Sequence, residues 1–369
     1  MRSIRTAFVA FILGLLLTTL SKPAIPSVEI AEARGAMGLS QALKRLDVVG
    51  SVLHTGAHPD DENSALLAWL ARGEGVRTAY LSATRGEGGV NLLGPELFES
   101  LGVIRTEELN GARRLDHAEQ FFTPNYEFGF SKSADDTFTK WPREQVLGDF
   151  VRVIRYFRPE IIISRFTGTS RDGHGHHQVA GVITQEAFKV AADPSRFPEY
   201  GKPWQAKKLY QVAPMGNEQN APPTGLAINV GEFDPDLGRS YSQIASEGRS
   251  LHRSQGQGAA QEAGPRQTRV QLLQKTIDVG DNAPLFAGVL HKLPDLAQLD
   301  PGLTQALADL EQRVMAIRQK VNLSRSYEVV PDLAAALAQR PAPGTDAGCV
   351  PPTRSGCKSV LNPDRILQR

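Results

Sequence analysis

Short continuous apolar runs alternate with longer stretches of helical spacing over the first half of the chain. LDVVGSVLHTGAH reads as one buried strand ending near His54. DENSALLAWLARGEG then spaces Leu66, Leu67 and Leu70 as a helical face, with Gly73 and Gly75 as stops. VRTAYLSATRG is a second strand running into a glycine-rich turn. LGVIRTEELNGARRLDHA predicts a helix with Val103, Ile104, Leu109, Ala112 and Leu115 on one side. EQVLGDFVRVIRYFRP repeats that pattern, EIIIS is a short apolar strand running into Arg165, and HHQVAGVITQEAFKVAAD is a further amphipathic helix. Such alternation predicts an α/β fold, a mostly parallel sheet with helices on both faces.

From AKKLYQVAP onward the pattern loosens. GLAINVGEF and TRVQLLQKTI read as strands, SYSQIASEGRSLHRSQ as a helix between them, and GLTQALADLEQRVMAIRQKV as the longest helix. His252 and Arg253 read as a surface helix end. The segment EQFFTPNYEFGFSKSADDTFTKWP concentrates seven aromatic residues, which reads as a lid or core packing before it reads as direct sugar stacking.

The totals narrow the partners. Lysine and arginine number 41 against 40 acidic residues, so nothing favours nucleic acid or an anionic membrane surface. The first residues differ: Arg2 and Arg5 precede an uncharged run from Ala7 to Leu20, too short for a membrane span and suited to a secretory signal. An exported protein is expected, secreted or periplasmic, with an uncleaved anchor as the alternative and as the one route to a membrane. The two cysteines, Cys349 and Cys357, sit in a proline- and glycine-rich tail and can close a small loop in an oxidising space. With no other thiol, any metal must be held by nitrogen and oxygen.

Two clusters at strand ends carry chemistry. HTGAHPDDENSALL places His58, Asp60 and Asp61 between a strand and a helix, where open parallel sheets bind ligands. His58 and Asp61, three residues apart at a helix start, can face one point and suit zinc; the plainer reading is an N-capping aspartate beside an incidental histidine. RDGHGHHQVAG follows the third strand and gathers His174, His176 and His177, three of eight histidines. One of them would complete a three-ligand site with an open position, the catalytic arrangement.

AHPDDE at 57–62, TRGEGG at 84–89 and the His174/His177 pair resemble the PIG-L/LmbE-like deacetylases. The resemblance runs from about Val48 to about Val230. It implies a Rossmann-like fold and one zinc ion per chain, serving removal of acetyl groups from N-acetylglucosamine-type sugars. By position it implies His58, Asp61 and His177 as metal ligands, Asp60 as general base and His174 as the group steadying the oxyanion. Arg85 and Glu87 of TRGEGG would then grip sugar hydroxyls. One position departs: many relatives carry aspartate where this chain has His176, so another carboxylate such as Asp172 must orient a ligand or the site is tuned differently. Ligation by His176 in place of His177 stays open.

The resulting organisation is a signal or anchor with linker at 1–34, the deacetylase domain at 35–230, an extension packing on it at 231–340 and a disordered tail at 341–369. A zinc hydrolase of this kind would act on an acetamido sugar. The rivals are a metal-dependent phosphoesterase, which wants two metals and more converging ligands, and a non-catalytic carbohydrate-binding protein, which would not need Asp60. Oligomeric state and the particular sugar are not written in the sequence.

Overall fold

The computed structural model describes residues 35–213 and 225–338. The N-terminal apolar segment, the tail and both cysteines lie outside the described residues.

A seven-stranded sheet runs in the order β3-β2-β1-β4-β5-β9-β6. Its strands are β1 (Ser51–Gly56), β2 (Arg77–Ser82), β3 (Glu119–Phe122), β4 (Ile161–Ser164), β5 (Lys208–Val212), β6 (Leu226–Asn229) and β9 (Gln267–Lys275). The short strands β7 (Phe233–Asp234) and β8 (Arg239–Ser240) pair separately. β1 pairs in parallel with both β2 and β4, and parallel pairing continues to β3 on one side and β5 on the other. The chain therefore winds outward from β1 in one direction and then returns to its other side. The crevice between the carboxyl ends of β1 and β4 is the topological switch point.

Alternating side chains explain why the sheet is covered twice. Leu53 and Ile162 point into one cluster with Phe150, Ile154, Val179 and Ile183. Val52, Ile161 and Ile163 point into the other with Leu66, Leu70 and Val270. All six residues of β1 are buried, as in a strand covered on both faces. Helices Arg143–Phe157 and Gly175–Val190 cover the first face. On the other side, helices Ser64–Ala68, Glu99–Asp116 and Tyr241–Arg249 pack on one another.

The chain after 230 is woven into this architecture. β9 lies between β5 and β6, antiparallel to each, and helix Tyr241–Arg249 packs against the two helices before it in its layer. Helices Gly35–Arg45 and Thr304–Lys320 share a smaller cluster built on Leu43, Ile317 and Val329. Among the described residues no helix is long and apolar enough to cross a membrane.

The 99–116 helix buries Leu109 and Ala112 as expected, but its buried face also takes in charged residues and leaves out Val103. Val103 is exposed, whereas Leu101, Arg105, Leu109, Ala112, Arg113 and Asp116 are buried. Arg113 pairs with Asp116 inside the helix, while Arg105 and Arg113 also reach Asp60 and Glu62, partners that the local pattern does not contain.

Candidate metal centre

The loop after β1 is folded by its own aspartate. Asp61 Oδ2 accepts the backbone N–H groups of Ala57 (3.0 Å) and His58 (2.6 Å), turning the chain sharply back. Tyr80, buried on β2, donates its hydroxyl to the His58 carbonyl at 2.7 Å, and Arg165 Nε donates to the Asp61 carbonyl at 2.9 Å. Asn63 then caps the next helix by accepting from Leu66 N–H. The capping residue is thus Asn63, which leaves both aspartates for other work.

From the other side of the crevice comes the helix beginning at Gly175. A Cβ at Gly175 would lie 2.3 Å from the Ser133 carbonyl and 2.4 Å from Ser131 Oγ. Only glycine lets the histidine loop sit this close to the 131–137 segment.

These two loops bring His58, Asp61 and His177 together. His58 Nδ1 is 3.1 Å from His177 Nε2 and 3.2 Å from Asp61 Oδ2, and His177 Nε2 is 3.4 Å from Asp61 Oδ1. Three ligands held tetrahedrally at ~2.0–2.1 Å from a zinc ion stand about 3.3 Å apart. The His58–His177 edge matches that spacing, the two Asp61 edges run to different oxygens of one carboxylate, and two imidazole nitrogens with one carboxylate are a zinc donor set. The residues present therefore fit the ion. Burial opposes charge on Asp61, yet His177 and His58 hold its carboxyl well below the usual carboxylate range. Burial likewise works against charge on His177, but the Asp61 carboxylate outweighs it and raises the imidazole. With its Nε2 turned inward, His177 places Nδ1 3.1 Å from the Asp172 carbonyl, and its ring stacks on Phe166 at 4.1 Å.

Asp172 makes its direct contact with His177 through that carbonyl. Its carboxylate accepts from the Thr167, Gly168 and Thr169 N–H groups and from the Thr167 hydroxyl, so it folds its own loop, and its charge adds to that of Asp61 in raising His177. His176 is fully buried against Trp141 and Phe128, and burial, reinforced by the neighbouring His58, His174 and His177, pushes its pKa down to about 2.

His174 flanks the three converging groups, and Asp60 is the residue immediately before Asp61 in the chain. Asp60 Oδ1 accepts from Arg105 Nη2 at 2.6 Å, and Oδ2 from Gln257 at 3.4 Å. Arg105 crosses under the TRGEGG turn and donates to the Gly86 carbonyl at 3.1 Å. Gly86 has φ +73°, and a Cβ there would strike the guanidinium. His174 lies between His58 and Phe130 in a three-ring stack, both centroid separations being 5.2 Å. Its Nδ1 is 3.2 Å from the Ser131 carbonyl, and burial lowers its pKa. Nε2 is the nitrogen left for a reacting group.

Arg85 and Glu87 do not join this constellation. Arg85 lies over the Phe122 ring at 4.2 Å and donates to Thr106 Oγ1, while Glu87 accepts the Arg85 and Glu127 N–H groups and shapes the turn. The arginine that reaches the site is Arg105. A charged residue in the stripe of Leu101, Leu109 and Ala112 was the signal for it.

His252 is the second departure from the sequence reading. Far from being a surface residue, it is fully buried, with Nε2 3.1 Å from Glu62 Oε1. Glu62 also meets Arg113 at 3.3 Å, and Arg113 pairs with Asp116. This buried charge network braces the residue next to Asp61 against two helices. Arg253 is exposed, as a helix-end residue should be.

The fold and site define a doubly wound sheet with three converging side chains that could hold a metal at its switch point. Residues 53–188 match the PIG-L family, described as GlcNAc-PI de-N-acetylase, so the chain carries a PIG-L family domain. The chain is 31% identical over 172 residues to a mycothiol S-conjugate amidase of Streptomyces coelicolor, covering 42% of this chain and 57% of that protein. It is 30% identical over 172 residues to a 1D-myo-inositol 2-acetamido-2-deoxy-alpha-D-glucopyranoside deacetylase of Streptomyces scabiei, covering 42% and 53%. It thus spans little more than half the length of these relatives. Among solved structures it is similar to N,N'-diacetylchitobiose deacetylase from Pyrococcus horikoshii, with TM-score 0.43, 17% identity and coverage of 59% of this chain and 75% of that one.

Proposed function

We propose that this protein is a zinc-dependent hydrolase that removes the N-acetyl group from an N-acetylglucosamine-type sugar or glycoconjugate. The observation that carries this reading is the convergence of His58, Asp61 and His177, with side-chain contacts of 3.1–3.4 Å, within the residues that match the PIG-L family. The named deacetylase among its relatives supports the acetamido sugar as substrate class.

In this reading His58, Asp61 and His177 hold one ion. Bound zinc supplies acidified water and polarises an amide carbonyl. Asp60 is the proton carrier: its carboxylate takes the proton lost by the attacking water and passes it to the leaving amine. Arg105 and Gln257 fix that carboxylate so that reaction needs no search for its orientation. His174, clamped by Ser131 and two flanking rings, presents Nε2 to the oxygen on which charge develops. Phe130 is 76% exposed on the outer face of His174 and is placed to shield that bond from water.

Acetate release from N-acetylglucosamine derivatives, N-acetylglucosaminyl-inositol and N,N'-diacetylchitobiose among them, tests the proposal with zinc-loaded full-length chain. Release of phosphate from phosphoesters, or sugar binding with no acetate released, would replace it.

A further inference from the structure

His58 has two ring nitrogens, and both are spoken for. Nδ1 faces Asp61 and His177. Nε2 faces His176 Nδ1 at 3.3 Å, in a pocket where His58 is 7% exposed and His176 is fully buried. A histidine that gives its Nδ1 lone pair to a metal keeps its one proton on Nε2, and a buried N–H needs an acceptor. We infer that His176 is a positioning residue for the metal ligand His58: its Nδ1 lone pair accepts the His58 Nε2 proton and so fixes both the tautomer and the tilt of that ring. The inference rests on the metal reading above.

Three observations converge on this role. The group within hydrogen-bond distance of His58 Nε2 is the His176 ring; Glu127, the carboxylate grouped with these histidines, is bonded to the Gly129 N–H at 2.9 Å and stands 3.9 Å from His176 Nδ1. The His176 ring cannot turn away from its task. It lies flat on Trp141 at 4.4 Å and 11°, with the Phe128 ring standing on it edgewise at 4.4 Å. Finally, its far nitrogen, Nε2, is buried with no hydrogen-bond partner. Leaving a polar atom unpartnered in an aromatic box is costly, and the cost is tolerated here where the opposite nitrogen meets a ligand's second nitrogen.

The same arrangement bears on how many ions the site takes. His58, Glu127, His174 and His176 also bring one ligand atom each within 4.8 Å of one another, so the group resembles a second metal site. A second ion there would need the very Nε2 lone pair that the proton occupies. His58 can serve the pair of imidazoles or a second ion, and the 3.3 Å contact assigns it to the pair.

The test separates the acceptor from the packing. His176→Phe keeps an aromatic ring between Trp141 and Phe128 but has no acceptor. His176→Asn gives up the ring but places an amide oxygen where Nδ1 lies. Zinc affinity is read by competition with a chromophoric chelator on the full-length chain, with thermal unfolding of each metal-free variant as the check on folding. Loss of an outer partner of a ligating histidine typically costs 10–100-fold in affinity. The phenylalanine variant should lose about that much and the asparagine variant less than about threefold. Wild-type affinity in His176→Phe, or equal loss in both folded variants, would overturn the inference. So would a second tightly bound zinc in the wild-type chain. A wild-type chain that binds no zinc would instead refute the metal reading itself.

Discussion

His54 ties the metal loop to the sheet in a way that acid should undo. It sits on β1, fully buried, with Nδ1 2.7 Å from the Ile163 carbonyl of β4 and Nε2 accepting the Asn63 N–H at 3.1 Å. Both contacts are made only by neutral imidazole protonated on Nδ1; a second proton would set Nε2–H against the Asn63 N–H. Burial, with Arg165 and Arg113 adding to it, pushes its pKa from 6.5 down to about 4. A depressed histidine pKa means the unfolded chain binds the proton first, so stability falls as pH drops below the unfolded value and levels off below the folded one. At ~1.4 kcal/mol per unit the full effect is ~3 kcal/mol, of which ~2 kcal/mol should be lost between about pH 7 and pH 5. Urea unfolding of wild type and His54→Gln at the two pH values isolates the term. The variant should begin ~1–3 kcal/mol less stable at neutral pH, having lost its bond to Ile163, yet lose ~2 kcal/mol less on acidification. His117 and His291, also depressed by burial, titrate in both proteins and cancel. Equal acid losses in the two would refute the reasoning.

Asp61→Ala should bind zinc far more weakly, while Asp60→Asn should keep a full equivalent by metal analysis and lose ~10²–10⁴-fold in turnover. His174→Ala should also keep its zinc and lose ~10²–10³-fold in kcat with little change in KM; a zinc-free His174→Ala beside a zinc-loaded His177→Ala would exchange their roles. Arg113→Leu leaves Glu62 and Asp116 as buried charges without their shared cation, and should cost about 3–5 kcal/mol in denaturant unfolding.

Local chemistry was legible because it depends on near neighbours. The apolar runs of β1, β2 and β4 announce buried parallel strands, and Gly73 closes the helical segment between the first two. His58 and Asp61 are three residues apart, so their convergence follows from a turn that Asp61 itself builds. β3 was harder to see: four residues, EQFF, inside an aromatic-rich stretch, give too short a period to read.

What the sequence by itself determined is the α/β class, the two strand-end loops and the kinds of atom able to hold a metal. These follow from side-chain type and from spacings of a few residues. Only the tertiary structure decided which charges are partnered across the chain. Arg105 reaches Asp60 over 45 residues, His252 reaches Glu62 over 190, and His176 meets His58 over 118. The physical reason is burial: a charged or polar side chain enters a core only when a partner awaits it there. That partner is supplied by the winding of the sheet and not by the neighbouring residues.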